Sequence, residues 1–109
     1  MITITIYRSH TGRYTGLHCI GHAGFERFGK DIVCAAVSVL VLNTLNAVDA
    51  FTDEEFDFES DPESGLIDIR FRHPGGHDVG LLFDTMVLGL KEIASQYGTD
   101  YILLTIKEV

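Results

Sequence analysis

Apolar and polar residues alternate in two short segments at the start of the chain. Over residues 2–7, isoleucines alternate with threonines and a tyrosine, which is typical of a strand with one buried face. Residues 10–13 form a turn signal that includes Gly12, and Tyr14–Ile20 follows as a second predicted strand. The pattern therefore predicts an N-terminal β-hairpin.

Apolar residues recur at helical spacing from Asp31 to about Ala50. Asp31 is expected to cap this helix, because its carboxylate can accept backbone N–H bonds in the first turn. Residues 21–30 carry three glycines and are predicted as a loop. Val39 and Leu42 lie off the main apolar stripe, so the helix is apolar over most of its circumference. Such a helix is expected to be central or to form a subunit contact.

A second hairpin and a second helix are predicted in the other half of the chain. Alternation over 56–59 and 66–72 indicates two strands, with a turn at 62–65 between them. Asp78 is expected to cap a helix that ends near Tyr97, with Gly98 in a left-handed conformation. A last strand is predicted over 101–106. The order ββαββαβ predicts an α+β fold, a mostly antiparallel sheet with two helices packed on one face, in a single domain over 1–109.

The amino-acid composition limits which partners and which cellular compartment are expected for this chain. The 109 residues are 46% hydrophobic and carry a net charge of −8, which argues against disorder and against binding to nucleic acid or an anionic membrane. A basic partner is favoured. Two cysteines are too few for a disulfide framework, and the N-terminus lacks the pattern of a signal peptide. No uninterrupted apolar run is long enough to cross a membrane, so a cytoplasmic location is expected.

Cys34 is the first candidate for chemistry. With Asp31 as the cap, Cys34 is the third residue of the helix, where the positive end of the helix dipole favours a thiolate. Free N–H groups of the first turn could also bind an oxyanion. The alternative is a small buried residue among apolar neighbours, which is a common role for cysteine.

His22 lies in the glycine-rich loop that precedes the helix. If this loop folds back over the helix start, the imidazole and the thiol of Cys34 form the pair that a cysteine peptidase requires. Ser38 lies one turn beyond Cys34 and can support the thiol or bond to its own helix. Asp31 can orient His22 as well as cap the helix. The alternative for His22 is an exposed loop residue.

Other polar clusters carry weaker signals. A zinc site formed by His18, Cys19, His22 and Cys34 is disfavoured, because His18 and Cys19 are strand neighbours that point to opposite faces. Cys19 is expected in the core, and the histidines of the 73–78 turn are expected to be turn residues. Seven acidic residues over 52–63 form either a solvated face or an attraction for a basic substrate. No cofactor or metal is expected.

The segment GHAGFERFGKDIVCAAVSVL at 21–40 resembles the signature of the ribosomal-processing cysteine protease family of Firmicutes and relatives. The matching positions are Gly21, His22, Ala23, Gly29, Asp31, Ile32, Val33, Cys34, Ala35, Ala36 and Ser38. The resemblance implies a cysteine peptidase that removes a short N-terminal extension from a large-subunit ribosomal protein. It implies Cys34 as nucleophile, His22 as general base, supporting roles for Asp31 and Ser38, and a homodimer.

The glycine-rich loop is a candidate lid over the substrate. The residues assigned to it are Gly21, Ala23, Gly24, Phe25, Phe28 and Gly29, of which the phenylalanines would cover an apolar segment of the substrate. A different class of function also fits the acidic composition: a non-catalytic module that binds a basic ribosomal protein.

Overall fold

The computed structural model describes residues 1–21, 28–98 and 100–109, with residues 28–31 described by their backbone alone. Five strands and two helices follow one another in the predicted order ββαββαβ. Their bounds are β1 Ile2–Arg8, β2 Tyr14–Ile20, α1 Phe28–Phe51, β3 Phe56–Asp61, β4 Leu66–Phe71, α2 His77–Tyr97 and β5 Ile102–Glu108.

The strands form one sheet in the order β3-β4-β2-β1-β5. Neighbouring strands are antiparallel except β1 and β5, which are parallel. The predicted mostly antiparallel α+β fold is therefore confirmed. The parallel pair needs the helical crossover that α2 supplies before β5.

Both helices cover one face of the sheet, and the core lies between these two layers. The α1 residues buried against the core lie at helical spacing on one stripe: Val33, Val37, Val41, Leu45 and Val48. The α2 stripe is Val79, Phe83, Met86, Val87 and Leu90. On the sheet, every second residue of β1 points inward, which is why Ile2, Ile4 and Ile6 are all at most 3% exposed.

The first helix begins at Phe28, so the predicted start at Asp31 is wrong. Phe28 and Gly29, which the composition assigned to the loop, are the first two residues of α1. A glycine so close to a helix N-terminus disrupts few intrahelical hydrogen bonds, because the first four N–H groups have no partner within the helix. Cys34 is consequently the seventh residue of α1 and lies beyond the first turn.

The second helix begins at His77 with Gly76 as its N-cap, so the predicted cap at Asp78 is also wrong. Asp78 lies within the first turn, where its charge still suits the helix dipole. The Gly76 N–H donates to Glu54 Oε1 at 2.9 Å, so a carboxylate distant in sequence accepts a bond at this helix start. At the other end, Gly98 has the predicted positive φ, 83°, and its N–H donates to the Ala94 carbonyl at 2.8 Å.

Ile32–Phe51 of α1 is long and apolar enough to cross a membrane when judged by length and composition, with a mean hydropathy of 1.8. Counting uninterrupted apolar residues understates this, because single polar residues such as Ser38 and Asn43 divide the run. The valine stripe of the same segment is packed in the core. Core helices meet the same test of length and composition, so the test is weak evidence for a membrane span.

We predict that Phe83→Ala destabilises the fold by about 3–5 kcal/mol, since it deletes a fully buried ring. Phe83 packs with its centroid 5.1 Å from the ring of Tyr14 and 5.3 Å from that of Phe71. Urea unfolding followed by circular dichroism measures the loss. Leu81→Ala on the same helix is the control, because Leu81 is 61% exposed and should cost less than about 0.5 kcal/mol. Equal losses for the two variants would contradict this description of the core.

Candidate active site

Cys34 lies at the edge of the buried face of α1. It directly follows the buried Val33, and its side chain is half-buried against the core. Ser38 follows one turn later and is also half-buried. Because residues four apart share one side of a helix, the two polar side chains lie on the same side of α1, as predicted.

Cys34 and Ser38 line a cavity of about 310 Å³ between α1 and the sheet. The opposite wall comes from the start of β1, the end of β2 and the hairpin that joins β3 to β4. These wall residues are Ile2, Cys19, Gly21, Ser60, Asp61, Pro62, Gly65, Leu66 and Ile67. The lining is mostly apolar, so a peptide group that enters it is partly shielded from water.

Two glycines join the end of β2 to the hairpin turn at this cavity. The Gly21 N–H donates to the Ser64 carbonyl at 3.0 Å. Both Gly21 and Gly65 have positive φ angles, 95° and 70°. A Cβ on Gly65 would lie 2.2 Å from the Gly21 carbonyl oxygen, and one on Gly21 would lie 2.3 Å from that of Met1. Only glycine fits this close backbone packing, which places Gly21 in the cavity wall that faces Cys34.

The two free thiols have different environments. Cys19 is 3% exposed and lies opposite Ile4 on β1 and Ile67 on β4, which confirms its predicted place in the core. Burial raises the pKa of the Cys19 thiol to about 11, and the neighbouring Cys34 adds to this rise. Cys19 therefore stays protonated at neutral pH, and Cys34 is the accessible thiol of the cavity.

The prediction that the helix dipole favours a thiolate at Cys34 is wrong. The effect of the helix dipole is confined to the first turn, and Cys34 is the seventh residue. Its N–H also lies beyond the four unpaired donors of the helix start, so it is not a free oxyanion ligand. A catalytic role for Cys34 therefore requires activation by other groups, and the role itself stays a prediction.

Several predicted site residues fall outside the described part of the chain. His22, Ala23, Gly24 and Phe25 are among residues 22–27, which lie outside the described residues. For Phe28, Gly29 and Asp31, the described feature is the helical backbone. Their predicted roles in catalysis, support and the lid stay predictions.

His18 lies on the outer face of the sheet, away from Cys19. Its Nδ1 is 2.6 Å from Asp68 Oδ2 on β4, and Arg70 Nε donates to the other oxygen of the same carboxylate at 3.2 Å. His18 is thus held on the face opposite the cavity. This geometry opposes a zinc site that combines His18 with the two thiols.

Comparisons with known proteins identify the family to which the chain belongs. The model of the cysteine protease Prp family matches residues 1–102. The chain belongs to this family. It is 32% identical over 98 residues to the ribosomal processing cysteine protease Prp of Staphylococcus aureus, covering 90% of this chain and 92% of that relative. It is 31% identical over 103 residues to the Bacillus subtilis protein of the same name, covering 89% and 90%.

The fold is shared with a solved member of the family. The crystal structure of the essential ribosomal processing protease Prp from S. aureus in complex with a substrate peptide superposes with a TM-score of 0.88. The identity is 31%, and the match covers 98% of this chain and all of that one. The protein is therefore a cysteine protease, and the resemblance found in its sequence is confirmed.

Sequence reasoning missed the far wall of the cavity. The hairpin residues Ser60, Pro62 and Leu66 come from the end of β3, the turn and the start of β4, more than twenty positions after Cys34. The turn itself was predicted from its residues. Its position beside α1 depends on the strand order, for which a single sequence carries no local signal.

We predict that iodoacetamide at neutral pH alkylates Cys34 more than about tenfold faster than Cys19, because the thiolate is the reactive form. With a pKa of about 11, Cys19 is ionised at pH 7 to roughly one part in ten thousand. Peptide mass spectrometry over a time course measures both rates. Labelling of Cys19 should rise with pH up to about pH 11.

The Cys34→Ser variant provides the control for this labelling. It should resist iodoacetamide when folded and react at Cys19 after unfolding in guanidinium. Rapid labelling of Cys19 in the folded variant would contradict the buried, protonated thiol.

Proposed function

We propose that the protein is an endopeptidase that cleaves a short N-terminal extension from a ribosomal protein. The observation that carries this proposal is that Gly21 and Cys34 line the same cavity. His22 follows Gly21 in the chain, and consecutive Cα atoms are about 3.8 Å apart. The position of Gly21 in the cavity wall thus supports a Cys34–His22 pair. The substrate class is supported by the name of the S. aureus and B. subtilis relatives and by the substrate peptide of the S. aureus complex.

The chemistry is acyl transfer through a thioester. The Cys34 thiolate attacks the scissile carbonyl carbon, and the resulting oxyanion is stabilised by nearby N–H donors. His22, as an imidazolium, donates a proton to the leaving amine as the C–N bond breaks. It then accepts a proton from water, and the hydroxide attacks the thioester and releases the thiolate. In this proposal Ser38 and Asp31 support the pair.

A non-catalytic module for a basic ribosomal protein is the alternative, and the relatives give it no support. The S. aureus and B. subtilis relatives are proteases by name. The acidic composition that suggested a binding module is equally suited to a protease whose substrate is basic, since opposite charge speeds encounter.

We further propose a homodimer that works in the cytoplasm. Large apolar side chains are exposed on the outer side of both helices: Ile32 is 54%, Val39 69% and Leu88 71% exposed. A second copy is a fitting cover for such a surface. The cytoplasm suits two free thiols and a substrate that belongs to the ribosome.

We predict that Cys34→Ala abolishes cleavage and lowers the rate by about 10⁴-fold or more, because the nucleophile is removed. His22→Ala should lower kcat by about 10²- to 10⁴-fold while substrate binding persists, since the proton transfers are lost. Incubation with a ribosomal protein that carries its N-terminal extension, followed by intact-mass spectrometry, measures the shortened product.

His10→Ala is the matched control for the histidine variant, since His10 is an exposed residue of the β1–β2 turn. It should cleave at the native rate. Product formation by the Cys34→Ala protein would contradict the thiol mechanism. Cleavage at the native rate by the His22→Ala protein would show that the His22 imidazole has no part in that mechanism.

We predict that Val39→Asp converts the dimer to a monomer, because it buries a charge at the proposed contact. Size-exclusion chromatography with light scattering at several concentrations gives the mass. Val109→Asp is the control: it makes the same chemical change at a 63% exposed C-terminal residue and should stay dimeric. A Val39→Asp protein that keeps the native mass, or a native protein that is monomeric, would contradict this interface.

A further inference from the structure

A second groove continues the catalytic cavity along α1. It measures about 520 Å³ and lies between the second half of α1 and the edge strand β3. Leu42 of α1 lines both the groove and the cavity that contains Cys34. From Leu42 the groove runs past Leu45 to Asp49. The two spaces therefore adjoin at Leu42 and lie end to end along α1, as a trough beside Cys34.

The groove exists because α1 leaves the inner face of β3 partly uncovered. Alternate residues of β3 point toward the helix layer, and Phe56 and Phe58 are the aromatic ones among them. Phe58 is nevertheless 50% exposed. The exposed half of this inward-pointing ring marks space for an occupant with apolar groups.

The length of the trough suits an extended peptide. Cys34 and Asp49 are fifteen residues apart on one helix, which corresponds to about 22 Å along its axis. An extended chain advances about 3.3 Å per residue, so about seven residues of substrate would span this distance. A substrate whose scissile bond lies at Cys34 can therefore reach the far end of the groove.

The charge of the groove selects a basic occupant. Asp49, Glu54 and Glu55 line it, against one cation, Arg72. The Arg72 guanidinium is already engaged, donating to Glu55 Oε2 at 3.1 Å and to Asp57 Oδ1 at 3.3 Å. Asp49 is exposed and forms no hydrogen bond or ion pair with the residues that the structure describes. An exposed carboxylate without a cation partner among the described residues, at the end of this groove, favours lysine or arginine.

We infer that this groove binds a basic, partly apolar segment of the substrate polypeptide that flanks the cleaved bond. The inference rests on the proposed peptidase function, because it takes the scissile bond to lie at Cys34. Phe58 and Leu42 contact the apolar side chains of the segment, and Asp49 pairs with its cations. In this arrangement Asp49 determines specificity for a basic substrate, although it does not contact the reacting atoms.

Peptide binding to the Cys34→Ala protein tests the groove separately from cleavage. The probe is a fluorescein-labelled seven-residue peptide in which lysine alternates with phenylalanine or leucine, and its partner has glutamine at each lysine. Fluorescence anisotropy gives Kd. Adding Asp49→Lys should weaken binding of the lysine peptide about five- to tenfold, the scale of replacing an exposed ion pair by a repulsion. The glutamine peptide should change less than about twofold.

Glu108→Lys, made in the same Cys34→Ala background, is the matched control. Glu108 is an exposed residue of β5, at the sheet edge opposite β3, and its reversal changes the net charge equally. It should leave both Kd values within about twofold. If Glu108→Lys and Asp49→Lys weaken binding of the lysine peptide equally, the effect is due to the net charge of the protein, and the proposed groove site is wrong.

Cleavage by the native protein separates the two proposals. If the ribosomal protein is cut but Asp49→Lys does not weaken the lysine peptide, the groove is wrong and the peptidase proposal stands. If Asp49→Lys weakens that peptide selectively but no cleavage occurs, the groove stands as a basic-peptide site and the peptidase proposal fails.

Discussion

The burial of one valine stripe of α1 against the sheet determines where the thiol of Cys34 lies. Val33, Val37, Val41 and Val48 are each at most 2% exposed. Cys34 follows Val33 in the chain, and successive residues of a helix are about 100° apart around its axis. Cys34 is thereby placed at the boundary between core and cavity. The apolar contact that stabilises the fold also orients the side chain that we propose as the nucleophile.

The other half of the cavity depends on backbone packing between distant segments. Gly21 directly follows β2, and its N–H donates to the Ser64 carbonyl in the β3–β4 turn. Gly65 lies so close to the Gly21 carbonyl that no side chain would fit between them. This contact sets the hairpin beside α1 and fixes the point from which the chain leaves β2 toward His22. A larger residue at either glycine would move the hairpin, so these glycines position the site through their lack of a side chain.

The sequence carries the elements of this fold more clearly than their arrangement. Alternation in β1 and helical spacing in α2 arise from burial of one face, so each element is visible locally. The start of α1 was misplaced because Gly29 is typical of a loop, and the cap of α2 was misplaced because Glu54 binds Gly76 from a distance. For the site, the Cys34–Ser38 side was predictable from helical spacing. The hairpin wall was not, because strand order is set by contacts between distant residues.

The placement of charge among the described residues separates the attraction for a basic substrate from the thiol of Cys34. Asp49 is about 22 Å away along the helix, well beyond the Debye length of about 8 Å at physiological ionic strength. Asp61 lines the cavity, but its carboxylate accepts bonds from the Glu63 N–H and the Ser64 hydroxyl, both at 3.1 Å. Among the described residues, the carboxylate of Asp49 has no hydrogen-bond or ion-pair partner, and it thus lies at the end of the groove far from Cys34, where it can attract a basic substrate.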